Sequence, residues 1–156
     1  MRRVVAAALG GVGGPLVGGL ATLLCRALNG GRTRRLTAAE RDVLAPLLPG
    51  LPLGRVRVAE SARLPIGPAF AAITLGHTVY VRGRLDERAA GLLAHELAHV
   101  AQFERLGWAG MMAAYGRLWL EHGYHAHPLE VEARNVERAA LDRMAERRRA
   151  ARDANG

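Results

Sequence analysis

Two histidines four positions apart, His95 and His99, enclose a glutamate in the stretch Leu93-Ala94-His95-Glu96-Leu97-Ala98-His99-Val100. On an α-helix such a pair returns to one face after about one turn, so both imidazoles can converge on a single ion. Glu96, rotated by about 100° from His95, borders that face. This is the H-E-x-x-H zinc pattern. Zn2+ favours imidazole nitrogen, and a catalytic zinc keeps three protein ligands plus an open position. Glu96 is placed to take a proton from an activated water rather than to act as a ligand. The plain alternative, two unrelated histidines on an amphipathic helix, requires a chance coincidence of residue types and spacing that is rare in a chain of this length.

Two imidazoles do not close a catalytic site, so a third ligand must come from later in the chain. His122, His125, His127, Glu130 and Glu132 are the candidates. A carboxylate on a helix is held more rigidly than a histidine in a loop, which favours the two glutamates. Glu130 falls in the first turn of the predicted last helix, and Glu132 lies deeper, where helix geometry fixes its direction better. Tyr124, His125 and His127 precede that helix and are placed to stabilise a developing oxyanion. His125 or His127 could alternatively complete a four-ligand, non-catalytic zinc site.

The elements that must position these groups follow from periodicity and punctuation. Asp86 can cap the metal helix, Glu87 suits its positive end and Gly107 its C-terminal stop. Leu93, Leu97 and Val100 form a core stripe, with His95, His99 and Gln102 along an adjacent one. Upstream, Thr37 and Glu40 make a capping-box pattern opening a helix to about Leu48, where Pro49-Gly50 stops it. Val56 and Val58 alternate with Arg55 and Arg57 as a short strand. Ala71 to Leu75 and Thr78 to Val81, joined at Gly76-His77, read as a β-hairpin with His77 in the turn. The edge of the strand Thr78 to Val81 is expected to be available for pairing with an extended peptide. A second helical pattern from Trp108 to about Glu121 carries Met111, Met112, Tyr115, Leu118 and Trp119 as core-type residues. Pro128 suits the first turn of a last helix reaching Ala151. Arg147, Arg148, Arg149 and Arg152 near its end oppose the negative pole of the dipole.

The N-terminal run from Val4 to Cys25 carries no charge and is flanked by arginines. At about 1.5 Å per residue it is long enough to cross a bilayer core of about 30 Å. Gly10, Gly14 and Gly18 recur at the spacing that lets helices approach in lipid, which suggests self-association. The expectation is a membrane anchor over residues 4–25. The arginines after the run would keep the following domain cytoplasmic by the positive-inside rule, whereas a cleaved signal would make the protein secreted. The 156 residues therefore divide into an apolar segment with a basic linker, 1–35, and a domain, 36–156. Half of the chain is apolar but only 4 % is aromatic, so the core must be aliphatic and alanine-rich. All 22 basic residues are arginine and the formal charge is +8, yet no aromatic residues interleave the basic runs, which argues against nucleic-acid binding. The single cysteine, Cys25, excludes an intrachain disulfide.

Taken together, Gly54-Arg55-Val56-Arg57-Val58, Ala71-Ala72-Ile73-Thr74-Leu75-Gly76-His77-Thr78-Val79-Tyr80, Leu92 to Gln102 and Pro128-Leu129-Glu130-Val131-Glu132-Ala133-Arg134 resemble the bacterial zincin-like metallopeptidase family known as the DUF4157 domain. The resemblance covers most of residues 37–140. It implies a compact α+β zincin-like fold, with a small antiparallel sheet lying over the metal helix and further helices C-terminal to it. It also implies that the glutamate before alanine in Glu-x-Glu-Ala, here Glu132, joins His95 and His99 as the third zinc ligand. The family often accompanies secreted toxins and contractile injection systems, so it brings a chemistry without a substrate. This chain departs from it in being short and in its apolar N-terminus. The expected activity is zinc-dependent hydrolysis of a peptide or protein substrate with Glu96 as general base. The alternative is a membrane-tethered, zinc-stabilised binding module.

Overall fold

The computed structural model describes residues 14–65, 70–86, 89–123 and 126–154. The expected roles of Val4 to Gly13, Glu87, Tyr124 and His125 lie outside those residues. The chain is α+β. Its elements are α1 (Gly14–Asn29), α2 (Ala38–Leu44), a 3-10 turn (Leu53–Arg55), β1 (Arg57–Ala59), β2 (Ala72–Leu75), β3 (Thr78–Val81), α3 (Ala90–His122) and α4 (Pro128–Asp153).

The three strands form one sheet in the order β1-β3-β2. β2 and β3 make the expected hairpin, with Leu75 opposite Thr78 and Ala72 opposite Val81. Gly76 takes the left-handed conformation that a two-residue hairpin turn demands (φ 61°). β1 lies parallel to β3 on its other side, Val58 opposite Val79. β3 is thus central and hydrogen-bonded on both sides. The expectation that its edge could receive a peptide is corrected: a paired strand has no free backbone groups to offer.

Alternation along the strands gives the sheet two unlike faces. Val58, Ala72, Val79 and Val81 pack with Leu93, Leu97 and Val100 of α3, and Leu44, Leu36 and Val56 extend the same core. Each of those fully buried leucines contributes about 2 kcal/mol of transfer free energy. Ala59, Ile73, Leu75 and Tyr80 face the other way and pack with Ala62, Leu64 and Cys25 of α1. The sheet is therefore layered between α1 and α3, and α4 covers the far side of α3.

Local signals explain the helix ends. Thr37 accepts from the Glu40 amide while the Glu40 carboxylate accepts from Thr37 N–H, which completes the capping box. α2 ends at Leu44, earlier than Pro49-Gly50, and continues only as turns. The basic stretch after α1 is tied down: Arg34 forms an antiparallel bridge with Val58 and its guanidinium pairs with Glu40 at 2.8 Å and with Glu60. Asp86 accepts from the Ala89 amide just ahead of α3. α3 runs on past the expected stop, but Gly107 breaks it with non-helical angles (φ 68°, ψ 171°), so the sequence signal marks a kink between two helical halves.

The membrane anchor is corrected. Among the described residues no helix is long and apolar enough to cross a membrane. α1 spans 16 residues, carries Arg26 in its last turn and buries Cys25 against the sheet, with Ala21 partly buried beside it. Its apolar residues serve, on that side, packing against protein.

Gly107 tests the kink. Its backbone has positive φ and nothing lies within 4 Å of where a Cβ would sit, so Gly107→Ala should cost about 1 kcal/mol through conformation alone, read as a lower midpoint in denaturant unfolding.

Candidate metal centre

The face of α3 turned to α4 begins at Gly91, where an added Cβ would lie 2.9 Å from Leu141. One and two turns later the same face presents His95 and His99. α4 answers with Glu130, Ala133, Glu137 and Ala140, a stripe at helical spacing in which the two alanines are fully buried and let the helices approach. His95, His99 and Glu130 consequently meet: one ligand atom from each lies within 4.8 Å of the others. The Nε2 atoms of His95 and His99 each stand 3.4 Å from a different oxygen of Glu130. Exposure is 4 % and 3 % for the histidines and 0 % for Glu130.

A ring of outer partners holds these groups. Gln102 donates through Nε2 to the Leu129 carbonyl (2.9 Å) and presents Oε1 to His99 Nδ1 at 2.8 Å. That contact makes His99 Nδ1 the donor and turns Nε2 towards Glu130. On His95, Nδ1 faces the Glu137 carboxylate at 3.3 Å. Each imidazole thus has its outer nitrogen beside an acceptor and its inner nitrogen aimed at the same point, the arrangement that orients metal-binding histidines. Tyr115 donates to Glu130 Oε1 at 2.7 Å. Burial pushes the Glu130 carboxyl up, but the neighbouring His95 and His99 imidazoles and the Tyr115 hydroxyl hold it below its usual value.

Among the described residues the buried polar side-chain atoms without a hydrogen-bond partner are His95 Nδ1 and Nε2, Glu96 Oε1, His99 Nε2 and Glu130 Oε2. All belong to this cluster or to Glu96 beside it. Orphaned polar atoms in a dry interior are costly, and their convergence is what a bound cation would satisfy. A set of two imidazoles and one carboxylate suits a divalent transition metal. The geometry gives the donor set without the identity of the ion.

Glu96 stands beside the cluster without joining it. Its Oε2 accepts from the Thr74 hydroxyl at 2.7 Å, while Oε1 faces the interior unpaired. Thr74 projects from β2 towards α3, and its hydroxyl also donates to the Glu96 carbonyl at 3.2 Å. In the metal-free chain burial pushes the Glu96 carboxyl up to about 7, opposed by the His99 charge and the Thr74 hydroxyl and reinforced by the nearby negative charge of Glu130.

Glu132, expected as the third ligand, is not brought to the histidines. Two residues on from Glu130, it is turned by about 200° around the helix and faces outward. It forms a two-pronged ion pair with Arg105 (2.9 and 2.8 Å) and accepts from Gln102 at 3.1 Å. Its carboxyl is lowered chiefly by the Arg105 hydrogen bond, against a smaller opposing effect of burial. His127 is also spoken for. Its Nδ1 accepts from Leu129 N–H, capping α4, and its Nε2 donates to the Tyr115 carbonyl. It has no nitrogen left for an oxyanion or a fourth coordination position. His122 lies at the exposed end of α3 near Glu121. Tyr115, Glu137 and Thr74 were not singled out by sequence as site residues. Only the spacing Glu130-Ala133-Glu137-Ala140 could have pointed to one of them, by marking the face of α4 that packs inward.

Titration with Zn2+ monitored by competition with a chromophoric chelator should separate the two glutamates. Glu130→Gln is expected to weaken binding by at least about 100-fold and Glu137→Gln by about 10-fold to 100-fold, with Glu132→Gln close to the parent. The raised carboxyl of Glu96 carries a second prediction. Between about pH 4.5 and about 7 the unfolded chain ionises this group while the folded chain keeps it protonated, so its contribution destabilises the metal-free fold progressively as pH rises. Glu96→Gln removes that dependence. In urea unfolding of metal-free protein the variant should match the parent at pH 4 and exceed it by up to about 3 kcal/mol at pH 8.

No curated protein and no solved structure gives a significant match to the chain. A family model described as the eCIS core domain, the DUF4157 family, matches residues 49–107, a stretch that contains the sheet, Thr74, His95, Glu96, His99 and Gln102 and stops short of Glu130.

Proposed function

We propose that the chain is a zinc-dependent peptide hydrolase built on a zincin-like arrangement, with His95, His99 and Glu130 as the metal-holding residues and Glu96 as general base. The observation that carries this reading is the unpaired, buried Glu96 Oε1 beside a cluster of three protein donors. A structural zinc site is normally closed by four protein ligands, whereas a catalytic one keeps a position open. The ion, when bound, would supply the Lewis acidity that polarises a carbonyl and makes a water acidic. The chain's own part is to hold and move charge. Thr74 fixes one oxygen of Glu96, so the other is oriented to accept the proton of the attacking water and later to return it to the leaving amine. Gln102 and Glu137 keep the imidazoles turned inward, and Tyr115 fixes the Glu130 carboxylate.

A second reading is a metal-stabilised module without catalysis. It draws on the enclosure of the cluster, whose histidine and glutamate side chains are at most 5 % exposed. The two readings separate on solvent access. A hydrolase must admit a substrate carbonyl and a hydroxamate inhibitor; a module needs the ion only to stay folded.

Glu96→Gln decides between them. The variant is expected to bind one zinc per chain as the parent does, and to cleave a peptide library at least about 100-fold more slowly, the minimum usually contributed by a general base. Equal cleavage by parent and variant would refute the role of Glu96. Absence of cleavage in both, with a melting temperature that falls on chelation, would favour the module.

A further inference from the structure

On the face of the sheet away from the metal cluster, the C-terminal half of α1, the segment after it and the β3 end of the hairpin enclose a cleft of about 390 Å³. Arg26, Arg32 and Arg57 line it, together with Thr33, Thr78 and the phenol of Tyr80. Strand alternation explains the grouping. Arg57 and Thr78 are paired across β1 and β3, and Tyr80 follows two residues later on the same side, so all three point towards α1 while Thr74 and Val79 point to α3. The volume is within the range of small-molecule sites.

The charge in this cleft is unbalanced. Among the described residues none of the three arginines pairs with a carboxylate, and no acidic residue lines the cleft. Arg57 is instead held by the carbonyls of Gly54 (3.1 Å) and Val56 (3.0 Å), which orient the guanidinium without neutralising it. Glu104, which bonds the lining residue His77, also pairs with Arg55. Other arginines are paired, as with Arg34 between Glu40 and Glu60 and Arg105 on Glu132, so carboxylate partners are within the reach of this fold but are not placed at the cleft. Three like charges gathered in one concavity repel each other unless an anion joins them.

We infer that this cleft binds a small phosphate-bearing anion, held by the guanidinium groups of Arg26, Arg32 and Arg57 with the hydroxyls of Thr33 and Thr78. Phosphate is the better match than carboxylate because three guanidinium forks and two hydroxyls supply more donors than the two oxygens of one carboxylate can accept. The site is separate from the metal centre, on the opposite face of the sheet, and does not depend on any hydrolytic activity. Its occupant would bridge α1 to β1 and β3, tying the first helix to the sheet.

Inorganic pyrophosphate is the probe, added to the whole chain and followed by calorimetry and by backbone amide shifts. Binding should saturate at one per chain, weaken with added salt, and move the amides of Gly31, Arg32, Thr33 and Thr78 while leaving those of His95 and His99 in place. Arg26 and Arg32 are exposed, so the Arg26→Ala, Arg32→Ala double variant should keep the parent's melting temperature yet bind at least about tenfold more weakly. Arg149→Ala, on the exposed end of α4, should bind within about twofold of the parent. The proposal is overturned if the double variant binds as the parent does, if the shifts centre on His95 and His99, or if no saturation is reached. Citrate binding as tightly as pyrophosphate would overturn the choice of phosphate. A short oligonucleotide binding far more tightly, with shifts spread over the other arginines, would replace the small anion by a nucleic-acid backbone.

Discussion

A carboxylate with no access to water can stay ionised only where positive charge or hydrogen-bond donors surround it, and the position of Glu130 makes that requirement the organising constraint of this fold. It comes from α4 and its compensation comes from α3: His95, His99 and the Tyr115 hydroxyl. Those donors reach it only if the helix axes are close. Gly91 at one end of the contact and Ala133 and Ala140 along α4 give that closeness, because each lacks the side chain that would hold the helices apart. Packing and electrostatics are thus one problem here: a bulkier residue in the stripe would move Glu130 away from the imidazoles it converges with.

The arrangement outside the cluster follows the same logic. Each histidine turns its inner nitrogen to the cluster while its outer nitrogen faces an acceptor, Gln102 for His99 and the Glu137 carboxylate for His95. Gln102 in turn is anchored to the Leu129 carbonyl, and His127 caps the helix that carries Glu130 while bonding to the residue, Tyr115, that fixes the carboxylate. The kink at Gly107 redirects α3 and lets its second half, with Tyr115, fold onto the start of α4. The sheet meets this arrangement through Thr74, whose hydroxyl bonds Glu96 on α3 between the two histidines.

The sheet itself separates two chemistries. Its alternating residues send one set of side chains to α3 and a buried, carboxylate-containing cluster, and the other set to α1 and an open, arginine-lined cleft. α1 fits this layered plan as an amphipathic element: Cys25 is buried on the sheet while Leu20, Leu23 and Leu28 are turned outward. An uncharged run in sequence is consistent with burial in lipid or against protein, and for the described part of this helix the second is realised on one side.

The amino-acid sequence by itself determined what depends on neighbours along the chain. The i, i+4 pairing of His95 and His99, the capping box of Thr37 and Glu40, the Gly76-His77 turn and the break at Gly107 are all local, because each needs only one turn of helix or one hairpin to take effect. Tertiary structure decided what depends on which faces meet. Glu130 and Glu132 have the same chemistry and lie two residues apart, and only the face α4 turns towards α3 selects one for the interior and leaves the other to Arg105. The central place of β3 likewise required knowing that β1 returns to pair on its open side, a contact between segments some twenty residues apart. Tyr115 and Glu137 became site residues for the same physical reason: periodicity fixes the direction of a side chain about its own helix axis, but not what the neighbouring helix brings to meet it.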